Sequence, residues 1–146
     1  MKHFLNLNEV GSEELTKIVA TAIKIKKQRG DKSKGMLDSD TPLEDKVVAM
    51  IFDKPSTRTR VSFDVGVKQL GGQTLILSGS DLQLGHGESI ADTARVLSKY
   101  VDLIMIRTFE ESILYELAKN SDVPVINGLT NTTHPCQSMA DVMTFQ

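Results

Sequence analysis

The sequence predicts an α/β domain of three layers, with helices flanking a central, mostly parallel, four-stranded sheet. Two features predict it. Four short apolar runs, Val47–Phe52, Thr74–Leu77, Leu103–Ile106 and Val123–Ile126, recur along the 146 residues, and the stretches between them are long enough for helices. Runs of that length separated by helical patterns belong to parallel strands joined by crossovers. The second feature is bulk composition. At 40% hydrophobic and 25% charged residues, the chain can bury the core of one ordinary domain, taken as residues 1–146.

Ahead of the first run, Ser12 is placed to cap a helix, with Glu13 and Glu14 where the helix dipole favours acids. Leu15, Val19, Ala22 and Ile23 recur three and four apart, so they form the face expected to be buried. This helix should end near Gly30, and Gly30–Pro42 is polar enough to be a surface loop. Further on, Val61–Val67 alternates with period two, which taken alone indicates a strand. Phe63, Val67 and Leu70 also share a helical face, and Gly71-Gly72 makes a good helix stop. Periodicity leaves the two open; the chemistry just upstream wants a helix N-terminus, and helix is the reading adopted. Ser89 opens another helix with Asp92 as capping-box acid and Ile90, Ala94 and Leu97 inward. Glu110–Asn120 reads as a further helix, and Pro135, suited to a first helical turn, starts the last, which runs to the end.

Net charge is −2 and the pI about 5.9, so no overall basic field attracts nucleic acid or a membrane surface. Any anion must be held by a local site. One cysteine, Cys136, excludes an intrachain disulfide and fits a reducing compartment. Met1–Val10 has no apolar stretch of signal-peptide length, and the longest apolar run, Val47–Phe52, is too short to cross a bilayer. The expected location is the cytoplasm. His3, His86 and His134 have no ligand spacing with a cysteine pair or a carboxylate set, so no metal is expected.

The most informative segment follows the first run: Asp53-Lys54-Pro55-Ser56-Thr57-Arg58-Thr59-Arg60. A turn that leaves the carboxyl end of a parallel strand and enters a helix points free backbone N–H groups at one spot. Ser56, Thr57 and Thr59 add hydroxyls there, and Arg58 adds a fork matched to phosphate oxygens. The crevice beyond those strand ends is where α/β sheets bind ligands. Composition alone leaves two readings open, an anion site or a capped helix with two solvated arginines. Neither a Walker loop nor a dinucleotide glycine fingerprint is present.

Ser56-Thr57-Arg58-Thr59-Arg60 after a strand ending Phe-x-x-Pro resembles the phosphate signature of the aspartate and ornithine carbamoyltransferases. His134-Pro135-Cys136-Gln137, with Ala140-Asp141-Val142-Met143-Thr144 downstream, is similar to that family's His-Pro-x-Gln and Ala-Asp-x-x-Thr. Arg107-Thr108 closes the third strand, again at a carboxyl edge, and the order of motifs agrees across essentially the whole chain.

The resemblance implies transfer of a carbamoyl group from carbamoyl phosphate to an amine, with no cofactor. The amine attacks the carbonyl carbon, charge builds on the carbonyl oxygen, and phosphate leaves. Ser56, Thr57, Arg58 and Thr59 would hold the phosphate. Arg107 would reach phosphate and carbonyl oxygen, His134 would donate to the carbonyl oxygen, and Gln137 would accept from the carbamoyl NH₂. Thr59, Arg107, His134 and Gln137 are thus the implied catalytic set. Arg60, one turn in, is expected to point away and pair with an acid, and Cys136 to serve packing. Without the motifs around them, His134 and Arg107 would read as a structural loop histidine and a strand-end charge.

Aspartate enzymes of the family carry a lysine just before Gly-Glu-Ser, whereas this chain has Gln83-Leu84-Gly85-His86 and resembles the ornithine enzymes, which make citrulline in arginine biosynthesis. In the family this loop serves the adjacent subunit of a trimer, so Gln83 is expected to bind substrate in a neighbour's site. Aspartate, putrescine or another amine stays open as acceptor. The acceptor-selecting residues belong to a second domain, expected to continue beyond Gln146. A non-catalytic sensor of a phosphorylated metabolite is the reading from a different class. His134 and Gln137 argue against it, since a sensor of phosphate alone would not need them.

Overall fold

The computed structural model describes residues 2–82 and 87–145. A single 3₁₀ turn, Leu7–Glu9, precedes α1 (Ser12–Arg29). The elements that follow are β1 (Val47–Phe52), α2 (Arg58–Gln69), β2 (Gln73–Ser78), α3 (Ile90–Leu97), β3 (Leu103–Arg107), α4 (Glu111–Asn120), β4 (Val125–Leu129) and α5 (Pro135–Thr144). The sheet has the order β2-β1-β3-β4, and every pair is parallel.

Strand residues alternate between two cores, which makes the layers. Ala49, Ile51, Ile104 and Ile106 face one way and pack with Ala94 and Leu97 of α3 and Leu114 and Leu117 of α4. Val48, Met50 and Met105 face the other way, against Val67 and Phe63 of α2. All but Phe63 of these side chains are buried, and the period of two along each strand fills both faces of a parallel sheet.

The period-two segment is helical. Residues 61–67 lie wholly inside α2, which starts two residues beyond Ser56 and stops before Gly71. Tertiary placement decides: Val67 and Phe63 reach the core from a helix lying on the sheet, and Gly71 takes φ 90° to turn the chain into β2. A Cβ at Gly71 would come 2.9 Å from Thr41 Cβ.

Three local expectations are corrected. Ser12 does not cap α1; Gly11 holds the cap position and accepts Glu14 N and Leu15 N, while Ser12 is the first helical residue. Of the predicted buried face only Val19 is buried, since Leu15, Ala22 and Ile23 sit at the rim of the domain, half-covered. β4 begins at Val125 and runs on to Leu129, past the predicted end at Ile126. Ser121 Oγ ties both the N–H and the carbonyl of Val123 into a turn, which removes that residue from the strand. At the other end the β3–β4 register shifts so that Leu129 stands opposite Arg107. The remaining signals hold locally: Ser89 Oγ accepts Asp92 N at 3.1 Å, and Gly30 follows α1 at φ 51°. The 30–42 loop is pinned by Arg29, which pairs with Asp38 and donates to the carbonyls of Ser33 and Met36.

The chain order places β2 on one side of β1 and β3 on the other. A reversal of that kind opens a crevice at the carboxyl ends of the two diverging strands. Among the described residues no helix is long and apolar enough to cross a membrane.

Candidate functional site

The loops leaving β1, β3 and β4 are laced together at this end of the sheet. Asp53 N donates to Arg107 O at 2.9 Å, and the fully buried Thr108 donates its hydroxyl to Asp53 Oδ2 at 2.6 Å. Thr108 N bonds Leu129 O, and Asn131 N bonds Phe109 O. Lys54 Nζ donates to Asn131 Oδ1 at 2.5 Å and stands 4.6 Å from the Phe109 ring centre. In the loop into α5, the backbone N–H groups of Thr132 and Thr133 both reach Thr130 Oγ1. Such cross-bracing fixes three loops relative to one another without using the side chain of any expected site residue.

Between them lies a crevice of about 750 Å³ lined by Ser56, Thr57, Arg58, Thr59, Arg107, His134 and Gln137, together with Pro55 and Leu129. The structure therefore brings together every predicted site residue except Gln83, which lies outside the described residues. Pro55 and Leu129 were not foreseen as lining. The predicted strand stops at Ile126 and so leaves Leu129 outside it, whereas the longer β4 carries Leu129 to the crevice.

The first turn of α2 faces this space with no side-chain cap of its own. Its N–H groups have no intrahelical acceptors, and the helix dipole adds partial positive charge. Arg107, at the end of β3, reaches across: Nη1 donates to Thr59 Oγ1 at 3.1 Å and Nη2 to Pro55 O at 3.4 Å. Its Nε is buried with no partner among the described residues, as are Ser56 Oγ and His134 Nδ1. Buried donors are normally satisfied, so three such atoms on residues lining one crevice point to a ligand that would satisfy them.

His134 occupies the N-cap position of α5 and its carbonyl accepts Gln137 N and Ser138 N. Burial holds its imidazole below the usual histidine pKa, the Arg107 charge lowers it further, and Asp141 opposes both. A neutral imidazole at pH 7 can donate one N–H without adding a second cation beside Arg107. Gln137 Nε2 donates to Asp141 Oδ1 at 2.8 Å, one turn along α5. Cys136 faces inward instead, its thiol donating to Asn127 O at 3.4 Å, and burial pushes the thiol pKa up to about 11.

Arg60 is absent from the lining of this crevice, as expected of a residue that points away, but the expected pairing with an acid does not form. It makes no ion pair among the described residues and lines a neighbouring crevice with Asp53, Lys54 and Ser78–Ser80. The acid one turn along, Asp64, is already taken by Lys68 at 2.8 Å and by the Thr74 hydroxyl. Among the described residues no three His, Cys, Asp or Glu side chains gather as metal ligands.

The profile of the "Aspartate/ornithine carbamoyltransferase, carbamoyl-P binding domain" family matches residues 2–146. The chain belongs to this carbamoyltransferase family. It is 63% identical over 146 residues to an ornithine carbamoyltransferase of Cereibacter sphaeroides, covering all of this chain and 47% of that protein. The crystal structure of ornithine carbamoyltransferase from Burkholderia thailandensis superposes with a TM-score of 0.90 at 44% identity, over 99% of this chain and 48% of that one. A structure of acetylornithine transcarbamylase complexed with acetylcitrulline matches at 35% identity and TM-score 0.86, over all of this chain and 47% of that one. The chain thus spans about half the length of the carbamoyltransferases it matches. The two motifs that carry the resemblance in the sequence, at the α2 turn and at the start of α5, both contribute lining residues to this one crevice.

Proposed function

We propose that these residues form the carbamoyl phosphate-binding half of an ornithine carbamoyltransferase, which makes citrulline and phosphate from carbamoyl phosphate and ornithine. The observation that carries the reading is the set of buried, unpartnered polar atoms of Ser56, Arg107 and His134 around one crevice beside the α2 N-terminus. The α2 N–H groups, Ser56, Thr57, Arg58 and Thr59 take the phosphate. Arg107, bonded to Thr59 and lining the same crevice as His134, would contact phosphate and carbonyl oxygen together. As the amine attacks, charge grows on the carbonyl oxygen, where Arg107 and neutral His134 stabilise it more than they stabilise the ground state. The leaving phosphate remains on the α2 turn. No side-chain nucleophile is needed, because the amine is the nucleophile.

Ornithine is the acceptor favoured by the 63% identity to a protein of that name. An N-acetylated ornithine is the second reading, favoured by the structural likeness to acetylornithine transcarbamylase. The acceptor side of the cleft would come from the other half of the enzyme. The reading extends to a cytoplasmic enzyme of arginine biosynthesis, and to a homotrimer in which the Gln83 loop completes a neighbour's site; family membership supports these. Titrating the chain with carbamoyl phosphate, inorganic phosphate and ATP tests the central claim. Carbamoyl phosphate should bind tightest, and preference for ATP would refute it.

A further inference from the structure

Asp141 was one of the matched motif residues, yet nothing in the chemistry above gives it a task. It lies one turn beyond Gln137 on α5, exposed, and its Oδ1 accepts Gln137 Nε2 at 2.8 Å. An amide has two ends of nearly equal size, and only its neighbours decide which end points where. A carboxylate has no proton to give, so it can receive only the NH₂ end. The other end, the carbonyl Oε1, is then left to the crevice lined by Gln137.

We propose that Asp141 is a positioning residue that orients the Gln137 amide, so that the crevice presents an acceptor and thereby selects ligands whose acyl group carries N–H. The inference rests on the carbamoyl phosphate reading and adds a specificity device to it. Turned round, the same glutamine would offer its NH₂ to the ligand. It would then face a carbamoyl NH₂ donor to donor, and would not distinguish that group from an acetyl methyl by any bond it gains. Because the pair is exposed, its effect is that of one ordinary hydrogen bond, on the order of two- to tenfold in equilibrium terms. Asp141 also raises the His134 pKa through its charge, so a test must separate charge from orientation.

Two probes of one shape do this: phosphonoacetamide, which carries NH₂, and acetonylphosphonate, which carries CH₃ in its place. Calorimetry on the 146-residue chain gives the ratio of their affinities, with inorganic phosphate as a reference for the anion pocket. Asp141→Ala should lower the amide-over-methyl ratio by about two- to tenfold while phosphate affinity holds. Asp141→Asn should lower the ratio less than D141A, since its amide can still accept Gln137 Nε2 but can also turn round and donate to Oε1. Because both probes carry the same phosphonate, the lost charge shifts their affinities alike and cancels in the ratio. An unchanged ratio in D141A overturns the proposal. So does an equal change in the affinities of both probes, which would make charge the cause, or a loss of phosphate binding in D141A, which would make the role structural. Failure of the carbamoyl phosphate reading looks different: the unsubstituted chain would then show no preference for the amide.

Discussion

Arg107 Nη1 donates to the Thr59 hydroxyl at 3.1 Å, joining side chains 48 positions apart in sequence. The bond fixes two things. It aims the guanidinium along the first turn of α2, and it occupies a lone pair of Thr59 so that the hydroxyl proton is free to donate to an anion.

Arg107→Ala should therefore weaken phosphate binding by about ten- to a hundredfold, the effect of losing charge-assisted hydrogen bonds together with the orientation of Thr59. Arg107→Lys should recover little, because an ammonium cannot serve Thr59 Oγ1 and Pro55 O with one rigid fork. Calorimetric titration with phosphate reads both. Affinity within twofold of the unsubstituted chain in R107A would remove Arg107 from the anion site.

His3 and His134 give the fold a pH dependence of known sign. Burial is the leading cause that holds each imidazole below its ordinary 6.5 in the folded chain. As pH falls through that value, the unfolded chain binds protons that the folded one refuses. Stability is therefore full above about pH 6.5 and declines below it. His3 Nδ1 accepts Val125 N at 3.0 Å, a bond that a protonated ring cannot make, and this bond helps hold the N-terminal segment beside β4. His3→Gln keeps an acceptor that does not titrate. Urea midpoints between about pH 7 and 5 should fall less steeply in H3Q than in the unsubstituted chain. Parallel slopes would show that His3 contributes nothing.

Sequence legibility followed the physics that sets each feature. β1, β3 and the first part of β4 could be read because buried parallel strands are runs of apolar residues. β2 could be read from the short run Thr74–Leu77 of a half-exposed edge strand, and α2 from the phosphate chemistry that wants a helix N-terminus. The ends of β4 could not: its start depends on Ser121 holding Val123, and its end on a register shift against β3. The pairing expected of Arg60 failed for a related reason, since the acid one turn along, Asp64, is taken by Lys68 and by Thr74 of β2. Motif residues identified the crevice, but the bonds that aim them, Arg107 to Thr59 and Gln137 to Asp141, follow from tertiary placement and from one helical turn's spacing.

Cys136 should be nearly inert at neutral pH although it sits between two crevice residues. Its thiol pKa is pushed from 9.0 to about 11 by burial, and its proton is directed at Asn127 O. Thiolate is the reactive form, and that shift makes it about a hundredfold scarcer. Iodoacetamide at pH 7.5 should alkylate the native chain on the order of a hundredfold more slowly than the urea-unfolded chain. With one cysteine in the sequence the readout is unambiguous, and comparable rates would mean that the thiol faces solvent.

The last prediction separates binding from transfer. The crevice is walled by α2, the ends of β3 and β4, and α5, all within this chain, so the contacts that anchor a phosphate can form in the 146 residues by themselves. On the proposed reading, the surface that holds an amine over the carbonyl carbon belongs to the part of the carbamoyltransferases that this chain does not match. Holding the reactants in attack geometry is worth roughly 7–11 kcal/mol of the barrier in a well-organised site. Water in a one-sided crevice also raises the local dielectric and weakens each donor's grip on the developing oxyanion. Both losses fall on the transition state more than on the bound anion. The 146-residue chain should therefore bind carbamoyl phosphate or phosphate weakly while forming no citrulline from ornithine at a useful rate. Calorimetry and a citrulline assay on the same sample test the two halves of the claim. Robust citrulline formation by this chain would mean that the groups needed to position the amine are already present in it.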